Sequence, residues 1–288
     1  MPNLKQIKRR IGSVKSTQQI TKAMKMVAAA KMRKATEAIQ MARPYAISLQ
    51  EVLGTTAGSV SDFSHPLLEQ RPLKRVLYVV VTADRGLCGG FNSNVIRRTQ
   101  QALRETPPGV EAVLFCVGRK GHDFFKRRPT PIVEKMTGLF NALDFSHATS
   151  IGESIRTLYT TGEVDQVVLI FNEFRSAVQQ ILHQDVLLPF SVSAAEGHGP
   201  HATGNILFEP DAATLLGRLL PMHVNRQLWR VLLDSYAAEQ GARMTAMESA
   251  TENAGEMLSQ LTLQYNRSRQ ASITQEIAEI VGGAAAIS

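Results

Sequence analysis

VLYVVVTADRGLCGGFNSNVIRRTQQALRE, residues 76–105, decides the fold class of this chain. It opens on a continuous β-branched and aromatic run at 76–82, the pattern of a strand with apolar neighbours on both faces. The turn Asp84-Arg85-Gly86-Leu87-Cys88-Gly89-Gly90 follows, and from 92 to about 105 apolar residues recur at helical spacing. Strand, tight turn and amphipathic helix in that order form the repeating unit of a parallel sheet covered by helices. Moving toward the C-terminus, further strands are expected at 112–117, 132–136, 167–172 and 181–188, with helices at 121–127 and 146–161. No helix separates the last two strands, which predicts a mixed edge on an otherwise parallel sheet. Residues 74–208 therefore read as a central, Rossmann-like α/β domain.

Outward from this domain the pattern becomes helical on both sides. Between residues 4 and 53 apolar side chains fall at Leu4, Ile7, Ile11, Val14, Ile20, Met24 and Val27, and then from Ala35 to Val52, with Thr17 filling the gap after Val14. Steps of three and four make this a helical stripe close to the seam of a coiled coil. Pro44 should kink this helix without ending it, and Gly54 and Gly58 are its stop signals. After the helix start at Glu209-Pro210-Asp211 a second stripe runs to the end of the chain. It passes through Ala246, Ala250, Ala254, Met257, Leu261, Tyr265, Ile273, Ile277 and Ile280, with one break expected at Pro221. The organisation is thus an N-terminal coiled-coil helix over 1–57, the central domain over 74–208 and a C-terminal helix over 211–288. At ~1.5 Å per residue the two helices would reach roughly 75–80 Å and 90 Å, too long for an ordinary globular domain. The economical arrangement is an antiparallel pair. Its seams are rich in Ala, Ser and Thr, so the pair buries little area at ~25 cal/mol per Å² and should be stabilised by a surrounding partner.

The chain has 288 residues, is 44% hydrophobic and carries a formal charge of +7. That charge is concentrated in the first fifty residues, where Lys5, Lys8, Arg9, Arg10, Lys15, Lys22 and further cations stand against the single acid Glu37. No apolar run approaches the ~18–20 residues of a membrane span, and the basic start reads as mature structure because its helical pattern continues beyond the usual length of a presequence. Cys88 and Cys116 sit in or beside apolar strand patterns, too few for a disulfide scaffold and suited to a reducing compartment.

Three chemistries compete for these residues. The turn from Gly86 to Gly90 lies where phosphate loops occur, which keeps open a nucleotide-binding enzyme, but it lacks both the Gly-Lys-Ser/Thr of a P-loop and GxGxxG spacing. A tight turn bringing the helix close to the sheet fits it better. The basic helix suits phosphate neutralisation by a nucleic-acid-binding coiled coil, yet it has one aromatic, Tyr45, and no recognition motif. His198 and His201, separated by Gly and Pro, read as a solvated loop, and Cys88 reads as packing in the turn rather than as a reactive thiol. No catalytic, cofactor or metal set can be assembled.

Four stretches together resemble the gamma subunit of the bacterial F-type ATP synthase. They are QITKAMKMVAAAKMRKA at 19–35, DRGLCGGFN at 84–92, ARMTAMESATENA at 242–254 and YNRSRQASITQEIAEIVGGAAA at 265–286. The last carries the family's Thr-x-Glu-x-x-Glu-x-x-x-Gly-Ala pattern as Thr274, Glu276, Glu279, Gly283 and Ala284. Between 107 and 204 the resemblance rests mainly on element order. It implies a non-catalytic rotor shaft whose helix pair stands inside a ring of alpha and beta subunits, with the α/β domain against the epsilon subunit and the c-subunit ring of the membrane sector. Proton flow would thereby be coupled to ATP synthesis on the cytoplasmic side of the bacterial inner membrane, with no cofactor, nucleic acid or direct membrane insertion. Motif position implies that Met24 faces the C-terminal helix and that Arg269 and Gln270 touch a beta-subunit loop. Arg243, Thr274 and Glu276 would lie on the surface through which the helices and beta communicate.

Overall fold

The computed structural model describes residues 4–58, 65–190 and 211–285, so His198 and His201 lie outside the described residues. The elements are α1 (Leu4–Gly58), β1 (Arg75–Val81), α2 (Phe91–Glu105), β2 (Glu111–Val117), α3 (Arg119–Phe125), β3 (Ile132–Met136), α4 (Phe145–Thr160), β4 (Gln166–Phe174), β5 (Gln180–Leu188) and α5 (Ala212–Ala285). They divide into two compact units, one of Met1–Ala28 with Met244–Ser288 and one of Ala29–Arg243.

The larger unit is built on a five-stranded sheet in the order β3-β2-β1-β4-β5. β1 pairs in parallel with β2 and β4, β2 in parallel with β3, and β4 antiparallel with β5, the mixed edge expected from two strands without an intervening helix. Alternate side chains of a strand point to opposite faces, and here both faces are apolar. Leu77, Val79, Val81, Val113, Phe115, Val167 and Leu169 form one side of the core with Ile151, Ile155 and Tyr159 of α4 and with Leu216, Leu220, Val224 and Leu228 of α5. Leu49 and Leu53 of α1 complete that layer. Val76, Tyr78, Val80, Leu114, Cys116, Val168 and Ile170 face Val95 and Ala102 of α2 and Phe125 of α3. α4 starts at Asp144, whose side chain accepts from Ser146 N at 2.9 Å while His147 reaches back to the Asp144 amide.

Pro221 does not break α5, contrary to the sequence expectation. A proline inside a helix costs about 3 kcal/mol, but Leu216, Leu220, Val224 and Leu228 are each 2% exposed on the sheet. At roughly 1.5–3 kcal/mol per buried side chain, that packing outweighs the defect. Pro44 likewise lies within an unbroken α1.

The smaller unit is an antiparallel helix pair. Gln18 Nε2 donates to the Thr251 carbonyl at 3.4 Å, the Thr21 and Thr251 hydroxyls meet at 2.7 Å, and Lys25 is ion-paired with Glu248, so partner numbers fall as those of α1 rise. The seam on α1 is Ile7, Ile11, Val14, Gln18, Thr21, Lys25 and Ala28, in alternating steps of four and three. This corrects the expected stripe. Ile20 and Val27 are 57% and 55% exposed, and Thr17 is exposed as well. Steps of three from Val14 to Thr17 to Ile20 rotate away from the partner, whereas a strict seven-residue repeat stays on it even where it must place polar side chains there. On α5 the seam runs through Met247, Thr251, Ala254, Leu258, Leu261 and Tyr265, while Met257, Ile273, Ile277 and Ile280 are 48–71% exposed.

Small and polar seam residues bury little apolar area, so local opening should be easy in the helix pair and difficult in the sheet. In the isolated chain, amides of residues 4–28 and 265–280 should exchange with solvent orders of magnitude faster than those of 76–81. Hydrogen exchange read by mass spectrometry checks this, and equal protection would refute the marginal stability of the pair.

Candidate functional site

Two surfaces hold the residues singled out by sequence. One is the turn after β1, in the larger unit. β1 has β2 on one side and β4 on the other, so this turn opens at the point where strand order reverses, the usual ligand crevice of an open parallel sheet.

Here α5 occupies the position a ligand would take. Cys88 and Phe91 pack with Ala83 against Ala238, with Phe174 and Ala242 at the margin. Arg243 donates through Nη1 to the Gly86 carbonyl at 2.6 Å and is ion-paired through Nη2 with Glu239, one helical turn earlier. Both side chains are largely buried, at 12% and 7% exposure. Several polar groups of the turn are bound within the chain, although Asp84 Oδ2 is buried without a hydrogen-bond partner. Asn92 Oδ1 accepts from Ala83 N at 2.8 Å, Asn92 Nδ2 donates to the Arg85 carbonyl at 3.2 Å, and Phe91 N donates to the Cys88 carbonyl at 3.2 Å. Asp84 Oδ1 accepts from Arg119 N at 3.0 Å and Gly138 N at 2.8 Å, tying the turn to the loops after β2 and β3.

Cys88 is 1% exposed and burial pushes its thiol pKa up, with the charge of Arg243 pulling in the opposite direction. Cys116, inside the sheet, is pushed up to about 12 by burial. Neither is a poised thiolate. Leu87 takes a positive φ of 63° and is 67% exposed, so the tip of the turn presents an apolar side chain outward.

The second surface is the helix pair of the smaller unit. Met24 is half-buried, next to Lys25 and its Glu248 partner. Arg269, Gln270, Thr274 and Glu276 are exposed together on α5, where Glu276 Oε1 accepts a long 3.5 Å hydrogen bond from Ser272 Oγ. Arg243 belongs to the larger unit, where it is committed to Gly86 and Glu239. The Glu239–Arg243 pair is invisible to sequence reasoning, because an i,i+4 ion pair usually marks a solvated helix face. The signal available was its setting, Ser-Tyr-Ala-Ala-Glu-Gln-Gly-Ala-Arg, whose small residues permit close approach.

A third cluster has no counterpart in any sequence motif. Asp234 of α5 is 6% exposed, and burial pushes its carboxyl up to about 6 from a usual 3.8. Arg230 on the same helix, with Arg175 and His183, acts against that shift, while Glu173 adds to it. Among the described residues no group of three or more His, Cys, Asp or Glu side chains is arranged to hold a metal ion, and no helix is long and apolar enough to cross a membrane.

The ATP synthase family model matches residues 3–287. The chain is 51% identical to the ATP synthase gamma chain of Heliobacterium modesticaldum over the full length of both, and 48% identical to that of Chlorobium luteolum over 100% of this chain and 99% of the other. Among solved structures, a chain of the central stalk and c-ring of the Tetrahymena thermophila mitochondrial ATP synthase matches at 29% identity and TM-score 0.62, covering 80% of this chain and 99% of that one. A chain of the Euglena gracilis mitochondrial ATP synthase in rotational state 3 matches in fold at TM-score 0.70 and 20% identity, covering 99% and 94%.

Two outcomes test these sites. Arg243→Met leaves Glu239 buried without its partner and should destabilise the larger unit by about 3–5 kcal/mol, whereas adding Glu239→Leu should recover most of the loss. Urea unfolding of the single and double variants measures that coupling. At Asp234 the folded-state pKa lies above the unfolded one, so its favourable contribution is complete below about 3.8 and disappears as pH rises through about 6. Asp234→Asn should therefore change little near pH 4 and stabilise the chain by up to about 3 kcal/mol at pH 8, the two-unit shift at 1.36 kcal/mol each, as read by thermal or urea melts.

Proposed function

The chain belongs to the ATP synthase gamma chain family, and from that membership we propose that it is the torque-transmitting shaft of a bacterial ATP synthase, without an active site of its own. The observation that carries this reading is the exposed apolar surface of the helix pair. Ile20, Val27, Met257, Ile273 and Ile277 are 48–57% exposed on two helices whose mutual seam is filled by other residues. Apolar side chains placed this way fit a sleeve of surrounding subunits better than water. The alpha and beta subunits of the catalytic ring are the partners we assign to it, with the epsilon subunit and the c-subunit ring meeting the sheet unit. The complex would sit peripherally on the cytoplasmic face of the plasma membrane, in keeping with relatives drawn from bacteria.

On this reading Arg269 and Gln270, exposed side by side on α5, contact a beta-subunit loop, and Thr274 with Glu276 extends that contact along the same helix. Met24 lies at the helix pair beside the Lys25–Glu248 ion pair, where a change of charge would disturb the register of the two helices. Arg243 holds the turn after β1 onto α5, so a load on either is passed to the other through the Gly86 hydrogen bond. The turn's crevice is filled by α5 side chains, which favours the structural role over the nucleotide-binding alternative.

The direct test is rotation. Cys88 and Cys116 are buried, so a thiol label introduced at Val178→Cys, a position 81% exposed, can be placed selectively. Coexpressed with the alpha and beta subunits, the labelled chain should form a complex holding one copy per three of each, and an attached bead should turn in steps when ATP is supplied. ATP turnover in such a complex without rotation would sink the proposal. Ile20→Glu with Val27→Glu should leave the isolated chain within about 0.5 kcal/mol of the parent but weaken assembly at least tenfold, because both side chains are exposed in the chain itself.

A further inference from the structure

Asn172 is a polar side chain that follows the apolar run of β4 from Val167 to Phe171, and it is only 3% exposed. Its Nδ2 donates to the Phe91 carbonyl at 3.4 Å, while no described residue donates to its Oδ1. That oxygen is not sealed in: the buried polar atoms without partners lie elsewhere, and Asn172 lines a groove of ≈ 200 Å³ between α2 and the β4–β5 pair. Other walls of the groove are Asn94, Arg97, Arg98 and Gln101 of α2 and Gln180 of β5, and no acidic side chain lines it.

The donors of this groove are unequally satisfied. Arg98 Nη1 is held by Glu105 at 3.0 Å, Gln101 Nε2 by the same carboxylate at 2.7 Å, and Gln180 Nε2 by the Ala177 carbonyl at 3.1 Å. Arg97 and Asn94 differ from these. Both are exposed, and neither side chain has a hydrogen bond or ion pair with a described residue. In addition, α2 starts at Gly90 without a side-chain cap, so its first turn, from which Phe91 and Asn94 line the groove, keeps the partial positive charge of a helix start. The groove therefore offers an uncompensated guanidinium and an amide donor to an anion, and one amide oxygen that calls for a proton donor. A sulfate or a carboxylate answers only the first demand.

We propose that this groove binds inorganic phosphate, with oxygens on Arg97 and Asn94 and the phosphate's own O–H donating to Asn172 Oδ1. Arg suits a phosphoryl group because its planar fork gives paired, charge-assisted hydrogen bonds. Inorganic phosphate keeps an O–H at neutral pH, whereas a phosphate ester, with a second pKa of about 6, has lost its last proton by then. The site is separate from the crevice after β1 that α5 fills, and its binding is independent of the shaft function proposed above.

The purified full chain would be titrated by calorimetry at pH 7.5 and constant ionic strength with phosphate, with sulfate and with methyl phosphate. A saturable response to phosphate, about fivefold or more tighter than to either of the others, is the expected result, the worth of one hydrogen bond. Arg97→Gln should weaken phosphate about tenfold, while Lys135→Gln, which removes an exposed cation on β3, should leave it unchanged. Asn172→Leu should bring phosphate down to the level of sulfate and leave sulfate where it was. Circular dichroism and melting certify folding, and should Asn172→Leu fail to fold, the three-anion series with Arg97→Gln still decides. Equal binding of sulfate and phosphate, equal losses in Arg97→Gln and Lys135→Gln, or a response without saturation would mean an adventitious ion only and would overturn the proposal. Tighter binding of methyl phosphate would overturn the role given to Asn172.

Discussion

A parallel sheet that is apolar on both sides must be covered on both sides, and most of this architecture follows from meeting that requirement. α2 and α3 cover the Val76, Tyr78 and Val80 face from within the central segment. The opposite face, carrying Leu77, Val79 and Val81, is larger than α4 alone covers, and the chain brings in parts of both its long helices to finish it. Leu49 and Leu53 come from α1, and Leu216, Leu220, Val224 and Leu228 from α5. Each long helix therefore serves the sheet over one part of its length and a helix pair over another. The composition of α5 changes accordingly, from large aliphatics near residue 220 to Ala, Thr and Ser near residue 250.

Once α5 is fixed on the sheet it also settles what the turn after β1 can do. The glycines at 86, 89 and 90 that resemble a phosphate-binding loop in sequence give the backbone freedom to approach a helix. Gly86 offers its carbonyl to Arg243, and Gly89 takes a φ of 54°. Crevices at strand-order reversals bind ligands because they are open there, and α5 closes this one with Ala238, Glu239 and Arg243.

The sheet was legible in the sequence because its three central strands, β1, β2 and β4, are built on runs of Val, Leu, Ile and Phe, while the outer strands β3 and β5 are shorter apolar patches interrupted by Glu134, Lys135, His183, Gln184 and Asp185; each expected strand lies within two residues of the observed one at both ends. The helices at both ends of the chain were legible from their period. Less was visible wherever tertiary packing overrode a local rule. Pro221 reads as a break until the leucines on either side are seen against the sheet. The seam past Val14 is hidden in the sequence because Ile20 and Val27 are more apolar than Gln18 and Thr21, yet a seven-residue repeat assigns the partner-facing positions to the latter. Asp234 and the Glu239–Arg243 pair could not be seen at all, since burial of a charge depends on what another part of the chain lays over it.

The polar seam has a consequence for how the two helices find their alignment. Aliphatic seams tolerate sliding, because one leucine packs nearly as well as the next. Here a slip of one heptad would set Thr21 against Leu258 or Met244 in place of Thr251, leaving its hydroxyl opposite a side chain that cannot answer it. The same slip toward the C-terminus would place Lys25 opposite Gly255. Directional contacts thus act as a key cut into an otherwise smooth shaft, so that axial and torsional load meets one alignment of the two helices rather than a family of nearly equivalent ones.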